Sequence, residues 1–415
     1  MAQQTKKKTQ SFLQGAVILS AGAMLVKVIG AIFKIPLTNL IGELGMGYFN
    51  TAYQIYLPIY TIATAGFPIA VSKMVSQNAA CGRWRDVRRV YRVSLPLFFV
   101  SGLLGAAAMT LDVGFSTVAF GSALTDYFNY EFFNKSLKER SRYAVVHTQD
   151  KFYQLVNDPK YKKTFTVKPN FLREFSQFAG RDWVYPDGSN YDVFDEFLNK
   201  HDTFMVKPID GLGGGGIYKS SLQEIGDCRE FCQKLVSQRM FLEEVIRQCA
   251  AMASLNPSSV NTIRVMTHNI DDHPTIFFSS VRVGNGNTVV DNFHSGGMSA
   301  VVDCKTGIVT GPAMDKSMRR FEAHPVTGVV FKGFQIPDWD KVKVMVDNAC
   351  RMHPEMTVVG WDVSITDDGP ILIEGNRRPG FDMVQMLDEK GEKYVLKDIE
   401  TRFVAWQKQK QISAQ

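Results

Sequence analysis

The chain has 415 residues, 45% hydrophobic and 21% charged, with a mean hydropathy of −0.09; that is enough for two or three domains and a large core. Its 33 glycines and 16 prolines exclude collagen-like and wholly disordered chains, and six cysteines without a CxxC pair argue against a disulfide framework or zinc module and for a reducing compartment. The net charge of +6 is split unevenly: residues 1–112 hold 11 basic and three acidic residues (+8), while 113–415 hold 36 and 38 (−2), so no nucleic-acid partner is expected.

Three apolar stretches, near 12–41, 45–72 and 94–111, predict about three transmembrane helices over residues 1–112. The third, SLPLFFVSGLLGAAAMTL, carries no charge and would span roughly 27 Å as a helix, close to a bilayer core. A secretory signal fits poorly, because the first apolar region is too long and two more follow. Lys6–Lys8 precede the first stretch, and Arg83, Arg85, Arg88, Arg89 and Arg92 lie between the second and third. The excess of positive charge on cytoplasmic loops puts both clusters inside. Three crossings would then leave residues 113–415 outside the cell.

From Gly114 onward no stretch is long and apolar enough to cross a bilayer, and the pattern is mixed α+β. Helical periodicity covers 126–140 and 170–179, followed by a strand at 203–208, a glycine-rich loop at 211–216, a helix at 221–236 and a strand at 240–246. Further strands are predicted at 261–268, 275–283, 287–291, 358–365 and 370–375, with a helix at 338–351. The loop GLGGGG lacks the G-K-[ST] of a P-loop and sits wrongly for a dinucleotide fingerprint. What it offers is a strand ending in Lys207 and then a glycine flap, whose amides can wrap polyphosphate; a mobile surface turn is the alternative.

GWDVSITDDGPILIEGN (360–376) reads as strand, turn, strand. A turn centred on Asp368 sets Asp362 opposite Glu374, with Asn376 on the same face. Two carboxylates and an amide oxygen side by side suit Mg²⁺. The competing possibility is a solvated hairpin whose acids pair with arginines such as Arg377 and Arg378.

Two family resemblances rest on these residues. FLQGAVILSAGAMLVKVIGAIFKIPL and GMGYFNTAYQIYLPIYTIATAGFPIAVSKMVS, within 12–110, resemble the start of a bacterial polysaccharide-biosynthesis or lipid-linked-glycan flippase, a family with a dozen or more helices. GSALTDYFNYEFF, FAGRDW, MVKPIDGLGGGG, FLEEVI, LNPSSVNTIRV, DNFHSGGMSA, TGVVFKGFQIPDW and VGWDVSITDDGPILIEGNRRPGFD, across about 113–400, resemble the sugar-transfer-associated branch of the ATP-grasp superfamily. That resemblance implies an α+β ATP-grasp fold, two α+β subdomains clasping ATP, over 113–405, with a polar tail at 406–415. It further implies that Lys168 and Lys207 bind phosphates, that Gly213, Gly214, Gly215 and Gly216 close over them, and that Glu243, Glu244, Val245 and Ile246 read adenine. Asp362, Glu374 and Asn376 would hold one or two Mg²⁺. Arg264 is placed for the γ-phosphate or acyl phosphate, or for a structural salt bridge, and His294 for the substrate side, or as an ordinary loop histidine. No acidic residue for the ribose follows the hinge, in IRQCAAMASLN.

The implied activity is an ATP- and Mg²⁺-dependent ligase joining a small-molecule carboxylate to an amine through an acyl phosphate, in cell-surface polysaccharide metabolism. A transport-related protein with an accessory ATP-binding domain and an ATP-grasp kinase acting on a sugar hydroxyl are the alternatives. The expected location is the bacterial cell membrane, held by the N-terminal helices with the enzyme in the cytoplasm, which conflicts with three crossings. The abrupt edges of both resemblances point to a fusion of two neighbouring sequences.

Overall fold

The computed structural model describes residues 67–211, 215–286, 293, 296–316 and 318–413. The chain divides into two compact units, Met1–Phe115 and Ser116–Gln415. Of the three apolar stretches, the first and most of the second lie outside the described residues. The end of the second opens helix Phe67–Ala80. The third lies inside helix Trp84–Phe120, which is the one helix among the described residues long and apolar enough to cross a membrane. Leu95, Phe99, Leu104, Leu111 and Val118 on it are all exposed. Apolar side chains exposed around a helix in this way would be costly in water, whereas lipid accommodates them.

The second unit contains two antiparallel sheets. The smaller has strands β1 (Trp183–Val184), β2 (Thr203–Pro208), β3 (Tyr218–Ser221) and β4 (Met240–Glu244) in the order β1-β4-β2-β3. Phe194, Phe197 and Leu198 of helix Tyr191–Lys200 and Phe231 and Leu235 of helix Cys228–Gln238 cover it around Phe204, Val206 and Leu242. The helix expected at 221–236 starts only at Cys228. Gly226 adopts φ +66°, and the Asp227 carboxylate then accepts the Glu230 amide at 2.9 Å, capping the helix there.

The larger sheet comprises β5 (Thr262–Ile270), β6 (His273–Val283), β7 (Met298–Val301), β8 (Ala313–Asp315), β9 (Arg320–Phe321), β10 (Val358–Thr366) and β11 (Gly369–Asn376), ordered β11-β10-β5-β6-β7-β8-β9. Strand alternation gives it two different faces. Ile263, Val265, Val281, Trp361, Val363 and Ile365 point to helix Trp339–Met352. On the opposite face Met266, Ile270, Phe278 and Val358 meet Phe381, Leu396, Ile399 and Phe403. Towards one end of that second face the sequence turns polar: Thr262, Arg264, Ser280, Arg282, Asp362 and Ser364. The expected strand at 287–291 lies outside the described residues. Residues 406–413, expected as a polar tail, continue helix Lys393–Ser413, where Trp406 packs onto the core.

The β10–β11 hairpin corrects one detail. Its turn is Asp367–Asp368, closed by the pair Thr366–Gly369. Unbroken, that register would place Asp362 opposite Ile373 and turn Glu374 to the apolar face. A bulge leaves Ile373 without a partner strand residue and restores the pair Asp362–Glu374. Bulges of this kind re-aim a side chain at a site.

Candidate functional site

Four adjacent strands, β11-β10-β5-β6, bring the charged residues of the large sheet together. Asp362 pairs across β10 and β5 with Arg264, and across β10 and β11 with Glu374. Arg264 donates from Nε to Asp362 Oδ1 at 2.5 Å and from Nη2 to Oδ2 at 3.2 Å. Arg282, one strand further on, donates to Oδ2 at 3.1 Å and to the Thr262 hydroxyl at 2.9 Å. Burial would raise the Asp362 carboxyl, but the two guanidinium groups outweigh it and hold the pKa below its ordinary value. Asp362 is thus neither solvated nor paired with Arg377 or Arg378; Arg378 binds Asp150 instead, at 2.9 Å.

Glu374 is in the opposite situation. Burial and the neighbouring Asp362 raise its pKa, and among the described residues no Lys, Arg or His side chain pairs with it. Asn376 donates to its Oε1 at 3.4 Å. The set is therefore an oxygen-only group in which Glu374, beside a second carboxylate, makes no direct ion pair among the described residues. That donor chemistry fits a hard divalent cation such as Mg²⁺.

The small sheet supplies the lysines. Lys207 at the end of β2 contacts the Glu243 carboxylate on β4, which Arg181 grips from the other side at 2.8 and 2.7 Å. Burial pushes Glu243 up, but Arg181 and Lys207 prevail and hold it at about 2. Lys168 donates to the Gly211 carbonyl at 3.3 Å. Burial lowers its pKa against the attraction of Glu374, with Lys207 and Glu243 also within electrostatic reach. The two lysines and the acidic hairpin thus share one neighbourhood. Its backbone is held closely: a Cβ on Gly360 would sit 2.6 Å from Pro379, and the Tyr153 hydroxyl donates to the Pro379 carbonyl at 2.7 Å.

Lys168, Lys207, Arg264, Asp362, Glu374 and Asn376 therefore lie in one neighbourhood. Gly215 and Gly216 follow β2 in an exposed turn, with Gly216 at φ +75°; Gly213, Gly214 and His294 lie outside the described residues. The Glu243 carboxylate is buried between Arg181 and Lys207 and pairs with both. Glu244 closes β4, its carboxylate accepting the Asp182 amide at 3.1 Å, and half-buried Val245 and Ile246 lie just past the strand. Sequence reading missed Arg181 and Arg282. Arg282 was in principle accessible through the β5–β6 register, but that hairpin also carries a bulge, between Met266 and Thr267.

Residues 128–401 match the family described as sugar-transfer associated ATP-grasp. The chain belongs to this family. In this ATP-grasp protein, residues 12–132 also match the family described as polysaccharide biosynthesis protein. Over 114 residues it is 27% identical to the lipid II flippase MurJ of Bacillus subtilis (strain 168), covering 27% of this chain and 21% of that protein. Over 117 residues it is 29% identical to stage V sporulation protein B of the same organism, covering 28% and 22%. The chain thus spans about a fifth of the length of these curated relatives. Among solved structures, the ATP-grasp ligase PsnB complexed with a phosphomimetic variant of its minimal precursor, Mg and ADP overlaps 60% of this chain and 61% of that one, at 13% identity and TM-score 0.38. The D-alanine-D-alanine ligase from Coxiella burnetii overlaps 62% and 63%, at 12% identity and TM-score 0.37.

Proposed function

We infer that the second unit is an ATP- and Mg²⁺-dependent ligase that joins a carboxylate to an amine in cell-surface polysaccharide metabolism. The observation that carries this reading is Glu374, a half-buried carboxylate set opposite Asp362 with no direct ion pair among the described residues and within electrostatic reach of Lys168. In this reading Glu374, Asp362 and Asn376 hold Mg²⁺, which would neutralise charge on the phosphoryl group. Lys168 and Lys207 hold the ATP phosphates, with Gly213–Gly216 closing over them, and the backbone of Val245 and Ile246 faces adenine.

Arg264 has a defined task. Its Nε and Nη2 are fixed by Asp362, and among the described residues Nη1 has no partner. It is left to grip an oxygen of the phosphoryl group as this moves, an electrostatic stabilisation that is strong in a buried site. A substrate carboxylate oxygen attacks the γ-phosphorus, the bond to the β-phosphate oxygen breaks, and ADP leaves. The amine nitrogen then attacks the acyl carbon, phosphate departs with the C–O electron pair, and the nitrogen loses a proton. His294 is assigned to the substrate side. Helix Trp84–Phe120 and the match to polysaccharide biosynthesis proteins support a bacterial membrane location, with the ligase on the cytoplasmic side where ATP is found.

The experiment is ADP release by the purified full chain across a panel of amino-acid and sugar-acid carboxylates, with and without amines. Release that requires both, and a hydroxamate when hydroxylamine replaces the amine, is expected. ADP release on a hydroxyl acceptor with no amine present would make the protein a kinase and overturn the reading.

A further inference from the structure

Strands β1 and β11 are edge strands of the small and the large sheet, and the Arg181 side chain, just before β1, reaches both sheets. Arg181 lies two residues before β1. Gly180 precedes it at φ +57°, so close to β11 that a Cβ would fall 2.4 Å from Ile371 Cγ2. This approach delivers the guanidinium to the outer edge of β11. There Nη1 donates to the Leu372 carbonyl at 2.7 Å and Nη2 to the Ile373 carbonyl at 3.2 Å. Ile373 is the bulged residue that turns Glu374 toward Asp362. The same guanidinium holds Glu243, which in turn holds Lys207.

A buried ion pair is weak evidence for stability, since well-packed apolar residues often do as well. An edge-strand bulge, however, leaves carbonyls that the ladder does not satisfy, and these need a donor in a fixed position. We propose that Arg181 is a positioning residue that sets the metal carboxylate Glu374, through the β11 bulge, and the phosphate lysine Lys207, through Glu243, in register with one another. The proposal rests on the ATP and Mg²⁺ reading above. It adds that the two halves of the site are aligned by a residue that touches neither ligand. Arg181 acts on Mg²⁺ through the bulge and on the nucleotide through Glu243, so the two effects are separable.

The test is AMP-PNP binding by the full chain as a function of Mg²⁺ concentration, in wild type, Arg181→Met and Arg181→Lys, at a temperature well below unfolding of each. Supporting groups behind metal ligands typically contribute about 10–100-fold to metal affinity. Arg181→Met should therefore raise the half-saturating Mg²⁺ concentration by about tenfold or more, and should also weaken AMP-PNP binding without Mg²⁺. Arg181→Lys keeps a charge on Glu243 but cannot reach both carbonyls. It should restore the Mg²⁺-free affinity while retaining the Mg²⁺ shift, and amide exchange at Leu372–Glu374 should quicken in both variants. If wild type binds AMP-PNP and neither folded variant shifts the Mg²⁺ requirement by more than about twofold, Arg181 is only structural and the proposal fails alone. If wild type shows no Mg²⁺-dependent binding, the functional reading fails and takes the proposal with it.

Discussion

Glu243 gives the sharpest quantitative expectation. Its carboxyl drops from an ordinary 4.5 to about 2 in the folded chain. Each pKa unit is worth about 1.36 kcal/mol, so the charge contributes about 3 kcal/mol at neutral pH. Because the folded pKa is depressed, this contribution is full above about pH 4.5 and is lost as pH falls towards 2. Glu243→Gln keeps the shape but leaves Arg181 and Lys207 buried without an anion, and breaking a buried pair costs about 3–5 kcal/mol. In a unit of this size the melting temperature should fall by roughly 5–10 °C at pH 7. The assay is thermal unfolding of wild type and Glu243→Gln in parallel from pH 7 to pH 3. Other groups titrate alike in both, so the difference isolates this carboxyl, and by pH 3 it should shrink to less than about half. A difference that stays constant over this range, or that is below about 1 kcal/mol at pH 7, would refute the reasoning.

The metal pair should separate in stability and activity. Glu374→Gln removes a charge that burial and Asp362 disfavour, so melting should be unchanged or higher while Mg²⁺-dependent turnover is lost. Asp362→Asn should also abolish turnover but lower the melting temperature, since Arg264 and Arg282 lose the carboxylate they share; retained activity in both would remove the metal assignment. Gly360→Ala would drive a methyl to 2.6 Å from Pro379 Cβ and should cost about 1–3 kcal/mol by chemical denaturation, an unchanged midpoint counting against the close packing. Residues 113–415 expressed alone should bind AMP-PNP as the full chain does, and a folded shortened chain without affinity would show that the first unit contributes to the site.

Much of the site could be read from residue order, because a hairpin makes neighbours of residues whose spacing is visible. Asp362, Glu374 and Asn376 fell together on that basis, although the turn is Asp367–Asp368 and a bulge at Ile373 supplies the missing step in register. Strands with a plain apolar period, such as β2, β5 and β10, lay close to their expected bounds, whereas β1, β3 and β9 are too short to show a period. Pairings across distant segments were not legible. Arg181 and Glu243 are 62 positions apart and Arg282 and Asp362 are 80 apart, and no local spacing announces such contacts. For the same reason the Glu243-Glu244 pair looked alike in sequence, while the fold buries one under two cations and sets the other at the strand end.

The central claim is that this site moves a phosphoryl group from ATP onto a carboxylate. Incubating the full chain with ATP, Mg²⁺, an amine and an accepted carboxylate labelled with oxygen-18 tests it directly. An acyl phosphate transfers one labelled oxygen to the phosphate released, so labelled inorganic phosphate is expected in step with product. Turnover that leaves all of the label in the carboxylate-derived product would contradict the account.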